Sequence, residues 1–115
     1  MNEILLFFLL CRGTAPVESR TVLASYMGHR LEGRIMANGK RFRAKDPTIA
    51  AHKTLPKGTR LLVVNKANNR RLVVTVQDRG PFKEGRDLDL SYAGAKKLDY
   101  VSQGVAQLEM SVISN

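Results

Sequence analysis

Two side chains in this sequence have the type and the setting to move protons. Asp78 ends a strand-forming run and stands directly before the turn 79–82, a position that can push a carboxyl into a groove. His52 lies in the short apolar segment 48–53. Carboxyl and imidazole groups are common general acids and bases. Both also have a structural interpretation, because Asp78 can cap the turn through backbone N–H groups and His52 can be a partly buried, hydrogen-bonded imidazole.

The elements around these residues are short strands and turns. Strand-forming runs cover 21–26, 61–65, 71–77, 88–90 and 105–113, and 48–53 is a strand or a turn. The runs 61–65 and 71–77 predict a hairpin, since the asparagines between them tolerate the left-handed region. Ser91 is a good N-cap for a helix over residues 92–98. Segment 29–45 is predicted to be a loop with short strand pieces, and the whole pattern favours a small closed barrel.

Composition limits the possible classes of protein. The chain has 115 residues, 43% of them hydrophobic and 25% charged, which fits one globular domain. These values exclude a wholly disordered chain, a collagen-like chain and a polytopic membrane protein. The single cysteine excludes an internal disulfide framework and a cysteine-based zinc site. No metal site and no cofactor are predicted.

The N-terminus has three interpretations. An unbroken apolar run covers residues 4–10, far short of the roughly 20 residues that span a bilayer, and Cys11 follows it. Residues 1–19 are therefore a short export signal, a leader whose Cys11 is lipidated and attaches the protein to a membrane, or an apolar arm that packs on the domain. The domain itself is expected over residues 20–115.

The charge is strongly positive, with 19 basic and 10 acidic residues and a formal net charge of +9. Between Arg30 and Arg60 the basic residues are opposed only by Glu32 and Asp46. Such a segment attracts polyanions. Nucleic acid fits the charge alone, but no recognition motif supports it, so a nucleic-acid partner is not expected.

Several blocks of residues resemble one family. They occur in order as 51–56 (AHKTLP), 58–59 (GT), 64–65 (VN), Asn69, 78–82 (DRGPF) and 87–91 (DLDLS). From about Ala24 to Ile113 the chain resembles the rare lipoprotein A (RlpA) family of bacterial cell-wall proteins. Expansins and the MltA lytic transglycosylases are similar at the level of the barrel only.

The resemblance implies a fold, a location and an activity. The fold is mainly β, a six-stranded double-psi β-barrel with one or two short helices. The protein would be exported to the periplasm, the cell envelope or the medium, as a monomer that binds peptidoglycan glycan strands and, in some settings, other envelope proteins. The activity would be that of a lytic transglycosylase on strands without stem peptides, in which the 6-hydroxyl of muramic acid attacks and leaves a 1,6-anhydro end. One carboxyl can then serve first as acid and later as base.

The resemblance also assigns residues. The family's Asp and His fall on Asp78 and His52, which are the expected catalytic pair. For contact with the sugar, the sequence favours Tyr26, Lys53 and Arg79.

One departure from the family pattern bears on activity. The Glu and Asp that usually follow the segment 36–39 are here Lys40 and Arg43, and Asp46 is at most a substitute. Two cations near Asp78 suit the binding of an anionic sugar better than the donation of a proton. The leading hypothesis is a lytic transglycosylase. The alternative is a non-catalytic peptidoglycan-binding module in which Lys40 and Arg43 contact the strand, and a third is an expansin-like protein.

The remaining acidic residues near the motifs have structural interpretations. Asp87 and Asp89 lie on either side of Leu88, just before the predicted helix. Both are expected to fix the barrel crossover and the start of the helix rather than to take part in chemistry.

Overall fold

The fold is known from a computed structural model that describes residues 18–114. Its elements are β1 (Ser19–Met27), β2 (Ile49–His52), β3 (Arg60–Asn65), β4 (Arg71–Asp78), β5 (Leu88–Ser91), α1 (Tyr92–Leu98) and β6 (Ala106–Ser114). One turn of 3-10 helix spans His29–Leu31. Cys11 and most of the expected leader lie outside the described residues. Within residues 18–114, no helix has the length and apolar character needed to cross a membrane.

The six strands close into a barrel in the order β1-β5-β2-β4-β3-β6, and β6 pairs back with β1. The pairs β1–β5 and β2–β4 are parallel, whereas the other four pairs are antiparallel. Parallel neighbours need a long crossover connection, and the chain supplies residues 28–87 for one pair and 53–70 for the other. The predicted mainly β, six-stranded barrel is confirmed.

The barrel interior is filled by alternate residues of each strand. Leu88 and Leu90 of β5 are fully buried, as are Val74 and Val76 of β4. Burial of a Leu or Val side chain stabilises the fold by about 1.5–3 kcal/mol, so this alternation fixes which side of each strand faces out. Val112 continues the alternation of the buried Leu108 and Met110 but is 40% exposed, and within residues 18–114 the pairing of β6 with β1 ends at Ser111.

The predicted hairpin and helix are both confirmed. In the β3–β4 turn, the Asn65 side chain accepts a hydrogen bond from the Ala67 backbone N–H at 3.0 Å. Asn69 adopts a left-handed conformation, with φ of 63°. At the start of α1, the Ser91 hydroxyl accepts from the Gly94 N–H at 3.1 Å, which is the expected N-cap.

A second apolar cluster lies outside the barrel, beneath the long loop 28–48. Its buried members are Met27, Met36, Phe42, Ala44, Ile49 and Ala51. The loop has little regular structure apart from the 3-10 turn and a β-bridge between Ile35 and Arg41, in agreement with the prediction. Phe42 is fully buried, so the cluster holds the loop against the outer faces of β1 and β2.

Candidate functional site

Four neighbouring strands place one residue each in a row across the outer face of the barrel. Ser25 of β1 pairs with Asp89 of β5, Asp89 pairs with Ala51 of β2, and Ala51 pairs with Asp78 of β4. Asp89 lies outside because its neighbours Leu88 and Leu90 fill the core. Adjacent strands are about 4.8 Å apart, so the two aspartates are separated by about 10 Å at their Cα atoms.

A groove with a volume of about 340 Å³ runs over the Ser25 end of this row. We name it the site groove. Its lining residues come from the barrel face, the loop 28–48 and the turn after β4: Ser25, Met27, Leu31, Arg34, Ala51, 79–83 and Asp89. Asp89 is half-buried and lines this groove next to Ser25 and Ala51.

Asp78 lies at the far end of the row and is only 4% exposed. Its Oδ1 accepts hydrogen bonds from the backbone N–H groups of Ala37 and Arg79, both at 2.9 Å. Its Oδ2 accepts from the Arg34 guanidinium at 2.7 Å. Asp78 therefore ties the loop 28–48 to the turn after β4, which are the two walls of the site groove.

His52 follows Ala51 on β2, and its ring lines a separate hollow together with Arg20, Lys53 and Asp87. Its Nδ1 accepts from the backbone N–H groups of Thr54 and Leu55, each at 3.1 Å. The proton of the neutral ring is then on Nε2. Burial lowers the pKa of His52, and the charge of Arg79 lowers it further.

The expected pair of Asp78 and His52 is thus held apart by separate backbone contacts. Within residues 18–114, no hydrogen bond joins the two side chains. They are linked indirectly through Arg79, whose side chain donates to the backbone carbonyls of His52 at 3.0 Å and Leu55 at 2.6 Å. Each of them therefore contacts a residue that lines the site groove: Asp78 binds Arg34, and the backbone carbonyl of His52 accepts from Arg79.

Asp89 is the carboxyl that the sequence analysis did not assign to chemistry. The Ser25 hydroxyl donates a hydrogen bond to its Oδ1. Burial raises the pKa of Asp89 above the usual aspartate value, while the bond from Ser25 and the charge of Arg86 act in the opposite direction. The signal was present in the alternation of Leu88, Asp89 and Leu90, which places one acidic residue on the outer face of a buried strand.

The structural interpretation of Asp87 and Asp89 holds for only one of them. Asp87 exchanges two backbone-directed hydrogen bonds with Leu23: its N–H donates to the Leu23 carbonyl at 2.9 Å and its Oδ2 accepts from the Leu23 N–H at 3.2 Å. It fixes the crossover, as expected. The start of α1, in contrast, is capped by Ser91 and not by Asp89.

The residues expected to contact the sugar are dispersed. Arg79 lines the site groove, whereas Lys53 lines the hollow around His52. Tyr26 is half-buried: its hydroxyl donates to the Val101 carbonyl at 3.2 Å, and its ring packs edge-on against Tyr100. Tyr26 therefore packs against the barrel core, beside the buried Tyr100.

The structure places a further cation, Arg34, in direct contact with Asp78, and it gives Lys40 and Arg43 other surroundings. The chain folds back on itself over residues 33–42, which places Lys40 in an exposed turn, and Arg43 pairs with Glu32 at 3.3 Å. Asp46, the possible substitute, accepts from the N–H and the hydroxyl of Thr48 and so closes a local turn.

The rim of the site groove combines positive charge with one exposed aromatic ring. Arg34 is 47% exposed on its side chain, and Lys83 lines the groove beside it. Phe82 is 84% exposed, directly after Gly80 and Pro81. Gly80 has φ of 128°, a conformation that favours glycine. The rim can therefore bind an anionic ligand that also offers an apolar face.

Comparisons with known proteins agree with this architecture. A family model described as lytic transglycolase matches residues 19–110. The endolytic peptidoglycan transglycosylase RlpA of Haemophilus influenzae is 43% identical over 91 residues, which are 79% of this chain and 31% of that protein. The probable endolytic peptidoglycan transglycosylase RlpA of Aquifex aeolicus is 48% identical over 90 residues, 78% of this chain and 39% of the relative.

The chain spans about a third of the length of these curated relatives. Among solved structures, the Streptomyces papain inhibitor has the same fold, with a TM-score of 0.65 and 23% identity over 87% of this chain and 99% of the inhibitor. The barrel, its two parallel strand pairs and the sequence similarity all point to one family. The chain therefore belongs to the RlpA family of double-psi β-barrel lytic transglycolases.

Proposed function

We propose that this protein is a lytic transglycosylase that cleaves peptidoglycan glycan strands between MurNAc and GlcNAc and leaves 1,6-anhydro ends. The observation that carries the proposal is identity of 43–48% across the whole barrel to proteins named as endolytic peptidoglycan transglycosylases. The site groove supports it, because Asp89, whose pKa is raised by burial, lines the groove.

The rim of the groove suits a denuded glycan strand. Each MurNAc without its stem peptide carries a free lactyl carboxylate, and Arg34, Arg79 and Lys83 offer positive charge along the groove. The exposed ring of Phe82 offers an apolar surface for the face of a pyranose. We expect binding to weaken as salt is added, because these charges are solvent-exposed.

We assign Asp78 and His52 to the positioning of this groove. Asp78 holds Arg34 and the backbone of the loop in place. His52 shapes the turn 52–55, whose carbonyls hold the Arg79 side chain. Loss of either side chain would displace a cation of the groove, and a small displacement of a positioning group lowers a reaction rate strongly.

The positions of Lys40 and Arg43 do not favour the non-catalytic alternative. It depended on Lys40 and Arg43, which lie in the exposed turn and in the ion pair with Glu32. The floor of the groove keeps its own carboxyl, Asp89. A peptidoglycan substrate also favours the expected location in the periplasm or cell envelope.

The proposal is tested with the purified protein and denuded glycan strands. Mass spectrometry should detect glycan fragments without stem peptides that end in 1,6-anhydro-MurNAc. Each is lighter by one water than the corresponding hydrolysis product. Strands with intact stem peptides serve as the matched substrate control. Reducing ends would indicate a hydrolase. Binding to the strands with no cleavage at high enzyme concentration would identify a binding module and overturn the proposal.

A further inference from the structure

Asp89 differs from Asp78, Asp87 and Asp46 in the hydrogen-bond partners of its carboxyl. Asp78, Asp87 and Asp46 each accept at least one backbone N–H and so have a structural task. Within residues 18–114, the Asp89 carboxyl has a single hydrogen-bond partner, the hydroxyl of Ser25. A half-buried carboxyl that lines a groove and caps no turn or helix is suited to proton exchange.

The position of Asp89 is fixed although its carboxyl is not tied down. Its backbone lies between β1 and β2, paired with Ser25 on one side and Ala51 on the other. The Ser25 carbonyl is held in turn by the buried Tyr100 hydroxyl at 2.9 Å. The strands therefore preorganise the donor atom, as an acid catalyst requires.

Charged residues from the neighbouring segments line the groove together with Asp89. Arg34 comes from the loop 28–48, and Arg79 and Lys83 come from the turn after β4. Arg86 lies just before β5 and lowers the pKa of Asp89, against the larger effect of burial. Asp78 lies two strands away and is occupied by Arg34.

We propose that Asp89 is the catalytic acid of this groove and that Ser25 hydrogen-bonds to its carboxylate after the proton has left. This inference rests on the proposed function. The Asp89 carboxyl donates its proton to the glycosidic oxygen as the bond from MurNAc C1 to that oxygen breaks. The MurNAc 6-hydroxyl oxygen then bonds to C1, and its proton passes to the Asp89 carboxylate. The acid is regenerated and no water is consumed.

The first test compares Asp89→Asn with Asp99→Asn. Both variants remove one negative charge, and Asp99 is an exposed residue in a left-handed conformation that asparagine tolerates. We expect D89N to lower the rate of anhydro-end formation at least about 100-fold, the range for loss of a general acid. D89N should still sediment with amidase-treated sacculi as the wild type does, and D99N should cleave at the wild-type rate.

The second test uses the pH profile, which a merely structural role would not move. Activity needs protonated Asp89, so the rate is full below its pKa and falls as the pH rises through it. Ser25→Ala removes a hydrogen bond that favours the carboxylate, which raises the pKa of Asp89 further. The alkaline limb of kcat/KM should therefore move to higher pH in S25A. The S25A measurement also tests the inference if D89N does not fold.

The outcomes separate the two proposals. If the wild type cleaves and D89N cleaves at a similar rate, or if the alkaline limb of S25A stays in place, Asp89 is not the acid and the proposed function stands. If the wild type itself forms no anhydro ends, the function and the assignment both fall. Loss of cleavage in D89N with retained sedimentation supports the assignment.

Discussion

Asp78 and Asp89 occupy the same row across the barrel, yet their surroundings are opposite. Asp78 accepts two backbone N–H groups and a guanidinium and is almost completely buried. Asp89 has one hydroxyl partner and opens into the site groove. A carboxylate satisfied by backbone donors holds two segments together. A carboxyl that burial disfavours in its charged form, with one neutral donor, is suited to proton transfer.

A residue that is prominent in a sequence motif therefore need not be the residue that is suited to proton transfer. The DRGPF turn makes Asp78 prominent because the turn itself needs an acceptor for its N–H groups. Asp89 lies in a strand whose pattern is dominated by the core leucines on either side of it. Removal of each side chain should therefore affect different properties of the protein.

The largest expected effect on stability is that of Asp78→Ala. The variant leaves the N–H groups of Ala37 and Arg79 without their acceptor and releases Arg34. Because Arg34 is partly exposed and stays solvated, most of the cost comes from the two amides, at about 1–3 kcal/mol each. We expect the free energy of unfolding in urea to fall by about 2–4 kcal/mol.

Asp89→Ala is the matched control for this measurement. It removes a carboxyl whose burial is already unfavourable and leaves one hydroxyl without a partner, so a loss of at most about 1 kcal/mol is expected. Equal losses in the two variants would show that both carboxyls are structural, and the distinction between the two ends of the row would be wrong.

A smaller effect is expected from Phe82→Ala, and it concerns binding. The ring is 84% exposed, so its loss should change the free energy of unfolding by less than about 0.5 kcal/mol. If the ring packs on a sugar face, sedimentation with amidase-treated sacculi should weaken by about tenfold, equivalent to about 1.4 kcal/mol. Ile35→Ala, which truncates another exposed apolar side chain, is the control. Equal binding in the two variants would remove Phe82 from the groove's contact surface.

Much of the fold could be predicted from the sequence because it depends on local patterns. The β3–β4 hairpin follows from asparagines between two β-rich runs, and α1 follows from Ser91 as N-cap. The end of β6 could not be predicted, since the exposure of Val112 depends on where β1 begins in space. The order of strands around the barrel came from the family resemblance, because parallel pairing joins segments that are distant in the chain.

The site was less predictable for the same reason. His52 and Asp78 are prominent in two separate motifs, but their partners, Thr54, Leu55 and Arg34, are set by turn and loop geometry. The pairing of Ser25 with Asp89 joins strands that are 64 residues apart. The alternation of Leu88, Asp89 and Leu90 indicates that Asp89 faces outward, but a sequence alone does not give the register that places it beside Ser25.

The smallest expected effect concerns His52 and the pH dependence of stability. Its folded-state pKa is lowered, mainly by burial, so the unfolded chain binds a proton more readily than the folded barrel does. Stability should therefore fall as the pH drops from about 7.5 to about 5.5, through the ordinary histidine pKa. His52→Asn keeps an acceptor for the Thr54 and Leu55 N–H groups but does not titrate there. Urea unfolding at both pH values should show a larger loss of the free energy of unfolding in the wild type than in H52N.

His29, the other histidine, is present in both proteins and cancels in the difference. Parallel pH dependence in the two proteins would mean that the His52 ring is protonated as readily in the barrel as in water, and that its contacts with the turn 52–55 do not hold the ring neutral.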